Sequence, residues 1–166
     1  MKIFAYGSNM SLNRLRKRVP SARKLVNGYI EGCQIKCTKR STDGSGKATI
    51  LVSDQPERKV WGVIFEIEQK EKPRLDKAEG LNNGYNETII DVKFEAGTCN
   101  AQVYIADEDS IDEDLAPYEW YKDFIVSGAR ENELPKEYID ELETIKAVKD
   151  NDDLRRLKNE KILKGE

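Results

Sequence analysis

The run Phe4-Ala5-Tyr6-Gly7-Ser8-Asn9-Met10 constrains the fold more than any other stretch of the chain. Lys2 to Tyr6 is short, apolar and aromatic, the pattern of a buried strand that begins almost at the first residue. Gly7 opens backbone conformations closed to other residues, and Ser8 and Asn9 favour turns and helix caps. Ser11 is placed as an N-cap, with Leu12, Leu15 and Val19 spaced for one helix face. A strand, a Gly-Ser-Asn turn and a helix in this order collect unpaired backbone N–H groups over the turn. Such groups suit an anion or a developing oxyanion. The same pattern also serves as an ordinary strand-to-helix connection, so its chemistry has to come from elsewhere in the chain.

What else the chain can offer is limited by an absence: among 166 residues there is no histidine. A Ser-His-Asp triad, a Cys-His pair and a histidine-ligated zinc are therefore excluded. Acid–base work falls to carboxylates, lysines, tyrosines or thiols, with a carboxylate as the first candidate. Cys33, Cys37 and Cys99 are odd in number and read as reduced core thiols rather than a disulfide framework. The net charge of −3 gives no argument for nucleic acid. No window approaches the length of a membrane span, and Met1 leads straight into a strand. The expectation is a cytoplasmic protein with no signal peptide and no membrane partner.

The length fits one domain over 1–166, with the charged stretch from about 150 onward as a packed helix or a frayed tail. Leu25–Ile30 and Cys33–Thr38 read as two strands joined across Gly32, followed by a flexible loop at Ser41–Gly46 that could close over a site or be a plain surface turn. Lys47–Val52 is another strand. Val60–Ile67 is apolar on both faces at its start, as a central strand should be. A short helix with Pro73 in its first turn and Leu75 and Ala78 inward stops at Glu79, just before Gly80. Tyr85–Phe94 and Thr98–Ala106 pair around Glu95-Ala96-Gly97. Tyr121, Phe124, Ile125, Gly128 and Ala129 mark an amphipathic helix, and Pro135 opens another with Tyr138, Ile139, Leu142 and Ile145 inward. Strands outnumber helices and connect mostly as hairpins. The fold class is α+β, a mixed, mostly antiparallel curled sheet or small barrel flanked by helices.

Glu79 is the sharpest chemical candidate. A carboxylate at a helix C-terminus faces the negative pole of the macrodipole, and burial would push its pKa up further. A general base that later returns its proton needs that poise; an exposed glutamate in a slightly poor position is the plain alternative. The acidic run Asp107–Asp114 is no EF-hand, because Ile111 and Asp112 stand where an oxygen ligand and then glycine are required. The basic run Arg14, Arg16, Lys17, Arg18, Arg23 and Lys24 starts in the last turns of a helix, where cations are favoured anyway, and reads as a solvated face.

Four blocks in order carry a family resemblance. Phe4-Ala5-Tyr6-Gly7-Ser8-Asn9-Met10 resembles the Tyr-Gly-Ser-Asn-(Leu/Met) signature of the γ-glutamylcyclotransferase family. Val60-Trp61-Gly62-Val63 and Leu75-Asp76-Lys77-Ala78-Glu79-Gly80 resemble its next two landmarks. The stretch from Tyr121-Lys122-Asp123-Phe124-Ile125 to Gly128-Ala129-Arg130-Glu131-Asn132-Glu133-Leu134-Pro135 resembles the C-terminal part of the cyclotransferase proper. The resemblance implies conversion of a small-molecule γ-glutamyl substrate to 5-oxoproline and a free amine, with no cofactor and no metal. It places Glu79 on the catalytic glutamate, Phe4, Ala5, Tyr6, Gly7 and Ser8 on the substrate-binding loop, and Tyr121 on a tyrosine that contacts substrate. Ile3 would contribute through its backbone, and the Tyr6–Asn9 N–H groups would hold the oxyanion or the α-carboxylate. Tyr85 and Tyr104 carry no assigned role. Two other readings stay open: an enzyme on the same scaffold acting on another γ-glutamylated metabolite such as ε-(γ-glutamyl)-lysine, or a non-catalytic binding module. The leaving amine is open too, and so is assembly, a homodimer being one option.

Overall fold

The structure, a computed structural model, describes residues 1–166. Strand β1 (Lys2–Ala5) enters the core at once, its last three residues buried. A single 3₁₀ turn over Ser8–Met10 follows, then α1 (Leu12–Arg18), β2 (Arg23–Glu31), β3 (Cys33–Arg40), β4 (Gly46–Val52) and β5 (Lys59–Glu66). Next come α2 (Lys72–Glu79), the hairpin β6 (Tyr85–Phe94) and β7 (Gly97–Ala106), and three helices, α3 (Glu119–Glu131), α4 (Lys136–Glu143) and α5 (Asp153–Leu163).

Five strands close into a barrel in the order β1-β5-β2-β6-β7. Its pairings are antiparallel except where β1 meets β7, in parallel, at Ile3 and Gln102. Closure of this kind leaves no barrel strand with an unpaired edge. Strand β5 is central, between β1 and β2, and Val60, Val63, Ile64 and Phe65 are 0–1% exposed.

Strands β2 and β3 are not a hairpin: β2 belongs to the barrel, whereas β3 pairs only with β4 in a separate two-stranded sheet. The chain changes sheets at Gly32, whose φ of +67° suits glycine and whose N–H and C=O bond Arg58 and Ser53 rather than a β2–β3 ladder. Cys33, Cys37 and Cys99 are free thiols; burial pushes the Cys37 thiol up to about 12, where it is unreactive.

The helices cover the barrel with the faces the periodicity assigns. Tyr121, Phe124, Ile125, Gly128 and Ala129 of α3 are all buried, as are Tyr138 and Leu142 of α4. Ala78 departs from expectation: Leu75 carries the inward face of α2, and Ala78 is exposed. The C-terminal stretch is a capped helix, the Asp152 side chain accepting from the Arg155 N–H at 2.9 Å. No helix is long and apolar enough to cross a membrane.

Asp150 ties α5 to α3. Its carboxylate, 1% exposed, accepts from Arg155 Nε at 2.7 Å and from the Trp120 indole at 2.8 Å. The Arg155 hydrogen bonds hold this carboxyl below the usual carboxylate range against the opposing effect of burial. A carboxyl depressed in the folded state adds stability that is complete above its unfolded value near 4 and lost as the pH falls below it. Asp150→Ala leaves the Trp120 N–H and part of the guanidinium unpartnered. It is expected to cost about 1–3 kcal/mol, read by urea denaturation at neutral pH, with the gap to wild type narrowing in acid.

Candidate active site

The site lies at one end of the barrel, where β1 and β7 finish and β6 begins. Tyr6, Gly7, Ser8 and Asn9 leave β1 across this end, and Glu79 arrives at the end of α2. Tyr85 opens β6, Tyr104 lies near the end of β7, and α3 brings Tyr121 over the top. Together with Phe4, Ala5 and Ala48 they line one cavity.

The loop is held from both sides. Asn132 Nδ2 donates to the Met10 carbonyl at 3.0 Å and to the Gly128 carbonyl at 2.7 Å, fixing the 3₁₀ turn to α3. Ser11 takes the N-cap position of α1, but its hydroxyl is buried with no partner and does not cap. Gly7 is not left-handed (φ −112°); a Cβ there would stand 3.1 Å from Ala48 Cβ, a closer approach than ordinary van der Waals contact. The N–H groups of Gly7, Ser8 and Asn9 find no acceptor in the protein. Neighbouring backbone N–H groups left free in a turn are donors of the kind that suit an anion.

Glu79 is placed by the helix stop. Gly80 follows at φ +71°, and the Leu81 N–H bonds the Asp76 carbonyl at 2.9 Å, ending α2 in a left-handed cap. The carboxylate, 17% exposed, does not face the helix pole alone. Arg18 pairs with its Oε1, and Asn9 Nδ2 donates to the same oxygen at 2.8 Å. Arg18 also donates to Asn9 Oδ1 at 2.8 Å, closing a triangle. Oε2 accepts no hydrogen bond from the protein. The expectation of a carboxylate with only a negative dipole and desolvation around it is thus corrected: a guanidinium holds one oxygen and leaves the other open.

The four cavity tyrosines differ in what their protons do. Tyr6 donates to the Tyr104 carbonyl, Tyr85 to the Ala48 carbonyl and Tyr104 to Asp76 Oδ1, each at 2.6 Å. Tyr121 instead accepts from the Ala48 N–H at 3.0 Å, so its own proton has no acceptor in the protein. Burial is the leading cause that raises all four above the ordinary tyrosine value, keeping them protonated at neutral pH.

Known proteins are similar to this chain over most of its length. The model of the AIG2-like family matches residues 59–142. The γ-glutamylcyclotransferase of Homo sapiens is 32% identical over 159 residues, spanning 90% of this chain and 79% of that protein. The γ-glutamylcyclotransferase of Mus musculus is 33% identical over 157 residues, spanning 86% and 77%. The chain belongs to the γ-glutamylcyclotransferase family. A solved structure described as a γ-glutamyl cyclotransferase superposes with a TM-score of 0.86 at 27% identity, covering 100% of this chain and 99% of that one. Barrel and helices therefore both follow the cyclotransferase fold, and the chain is an enzyme of the cyclotransferase type.

Within this cyclotransferase, the structure gathers Phe4 through Asn9, Glu79 and Tyr121 on one cavity. Ile3 is the exception. It is 3% exposed, pairs with Phe65 and Gln102 on either side, and does not line the cavity, because barrel closure commits its backbone to both neighbours. The basic run also divides. Arg23 pairs with Glu66 on the outside, but Arg14 and Arg18 turn inward, Arg14 Nε reaching Ser8 Oγ at 3.1 Å. Tyr85 and Tyr104 gain positions on the cavity wall, and Ala48 joins them as a backbone partner. No three of the Cys, Asp and Glu side chains are grouped to hold a metal; in the acidic run, Asp112 turns to Arg40 and Glu113 to Lys36.

Proposed function

We propose that this cyclotransferase closes a γ-glutamyl chain on itself, with Glu79 moving the protons. The observation that carries the reading is the open Oε2 of Glu79 on the same cavity as the free N–H groups of Gly7, Ser8 and Asn9. The nucleophile is the substrate's own α-amine, which is why a site with no histidine and no activated Ser or Cys suffices. Glu79 Oε2 takes a proton from the α-ammonium, and the freed amine attacks the δ-carbonyl carbon, forming the ring C–N bond and an oxyanion. Glu79 returns the proton to the leaving nitrogen, and the γ-amide bond breaks. The ring nitrogen's extra proton passes through Glu79 to the released amine, and the products are 5-oxoproline and an ammonium. Two protons leave the attacking nitrogen and two reach the departing one.

The remaining parts fit the charges that arise. The loop N–H groups and the Tyr121 O–H are donors for the substrate's two anionic groups, its α-carboxylate and the developing oxyanion. Phe4, Ala5, Tyr6 and Tyr85 wall the cavity and hold the chain folded for attack, the condition that makes an internal nucleophile effective. Arg18 and Asn9 orient the carboxylate without occupying the oxygen that reacts.

Release of 5-oxoproline from a panel of γ-glutamyl dipeptides and γ-glutamyl amines tests the reading. Turnover of at least one class is expected, and none from either class would refute it. Turnover is also expected to be unchanged after exhaustive chelation, since no step calls on a Lewis acid; loss restored by added metal would count against the mechanism.

A further inference from the structure

Beside the cavity, and sharing Ser8, Glu79, Tyr85 and Tyr121 with it, is a second opening whose wall carries four cations, Arg14, Arg18, Lys39 and Lys47. Glu79 is the only carboxylate lining it. Because Glu79 borders both spaces and must reach the leaving nitrogen, the departing group extends into this opening when the glutamyl part fills the cavity.

Two of the cations are already matched. Arg18 pairs with Glu79, and Lys47 Nζ lies 2.7 Å from Asp43 Oδ2. The other two form no salt bridge. The Arg14 guanidinium donates only to Ser8 Oγ and Asn159 Oδ1, each at 3.1 Å, and lies over the Phe124 ring at 4.5 Å and the Trp120 ring at 5.8 Å. Lys39 is 7% exposed, and its ammonium meets the Asn83 carbonyl at 3.3 Å and the Tyr85 ring at 4.8 Å. The anions whose field reaches Lys39 are Glu79, Asp107 and Asp43; Arg18 neutralises Glu79 and Lys47 neutralises Asp43, Asp107 is bonded by the neutral Asn86 amide, and none of the three forms a salt bridge with the ammonium. Burial, and then Arg18, push Arg14 down to about 10, which leaves it charged at neutral pH. Withdrawing a cation from water without a carboxylate in contact with it is costly, and two such cations at one opening match a ligand with two negative groups.

We propose that this opening selects an acidic leaving group, so that the preferred substrates are γ-glutamyl peptides whose departing amino acid is itself a dicarboxylate, glutamate or aspartate. The inference rests on the cyclotransferase reading above. A departing amine without a carboxylate leaves Arg14 and Lys39 both unmatched, a neutral amino acid matches one, and a dicarboxylate matches both.

γ-Glutamylglutamate and γ-glutamylglutamine have the same shape and differ by one charge, so their kcat/KM ratio on the wild-type enzyme is the test. A preference of about tenfold or more for γ-glutamylglutamate is expected, carried by KM and shrinking at about 1 M salt, where screening is strong. Lys39→Met and Arg14→Gln, each first checked for an unchanged thermal midpoint, should bring the ratio towards one. Equal kcat/KM for the two peptides, or a ratio unmoved in both variants, overturns the selection while leaving the cyclotransferase reading intact. Absence of 5-oxoproline from both peptides and from the wider panel overturns both.

Discussion

Glu79→Gln is expected to lose at least about a hundredfold in kcat, some 2.7 kcal/mol of transition-state stabilisation, while folding and substrate binding persist. The amide keeps the shape and can still accept from Asn9 Nδ2 through its oxygen. What it lacks is an oxygen basic enough to take the ammonium proton. Arg18 is 20% exposed and can turn to water when its partner loses charge, so no unpaired cation is trapped. Steady-state rates, a thermal midpoint and a dissociation constant for 5-oxoproline separate the effects. A fall in kcat with the other two preserved fits a proton carrier; a matching fall in stability would mean that Glu79 serves the fold.

Tyr121→Phe is expected to cost about 10²–10³ in kcat, the usual effect of removing one donor to a developing oxyanion. It also strips the Ala48 N–H of its acceptor, a buried loss of about 1–3 kcal/mol in stability. Tyr85→Phe supplies the comparison. That hydroxyl is as deeply buried, but its proton already bonds the Ala48 carbonyl, so its removal should lower stability similarly and kcat by less than about tenfold. Equal losses of turnover in the two variants would deny Tyr121 a special place.

The parts of this site set by local rules are readable in the sequence. Gly80 marks the stop that leaves Glu79 at the end of α2, and the amphipathic period of α3 turns Tyr121 inward. Gly7, Ser8 and Asn9 announce a turn with spare N–H groups. Residues placed by tertiary packing are not readable in that way. Arg14 and Arg18 sit in a basic run that suits a helix C-terminus and a solvated face equally well. Only the approach of α1 to the end of α2 turns Arg18 onto Glu79, and only α5 brings Asn159 to Arg14.

The same division holds for the fold. Strand β5 reads as central because it is apolar on both faces, and the β6–β7 hairpin reads from its turn. The sheet change at Gly32 has no local signature, since a glycine between two strands suits a hairpin as well as a crossing. The parallel closure of β1 on β7 joins the two ends of the barrel over nearly a hundred residues, and it is what removes Ile3 from the site.

The central claim is that the bond is broken by an internal amine and not by water. Incubation of the wild-type enzyme with a γ-glutamyl peptide in H₂¹⁸O, followed by mass analysis of the products, tests it most directly. The expected result is 5-oxoproline and free amino acid in equal amounts, with no ¹⁸O in the ring carbonyl. Glutamate labelled with ¹⁸O in its γ-carboxylate, released in place of 5-oxoproline, would contradict it.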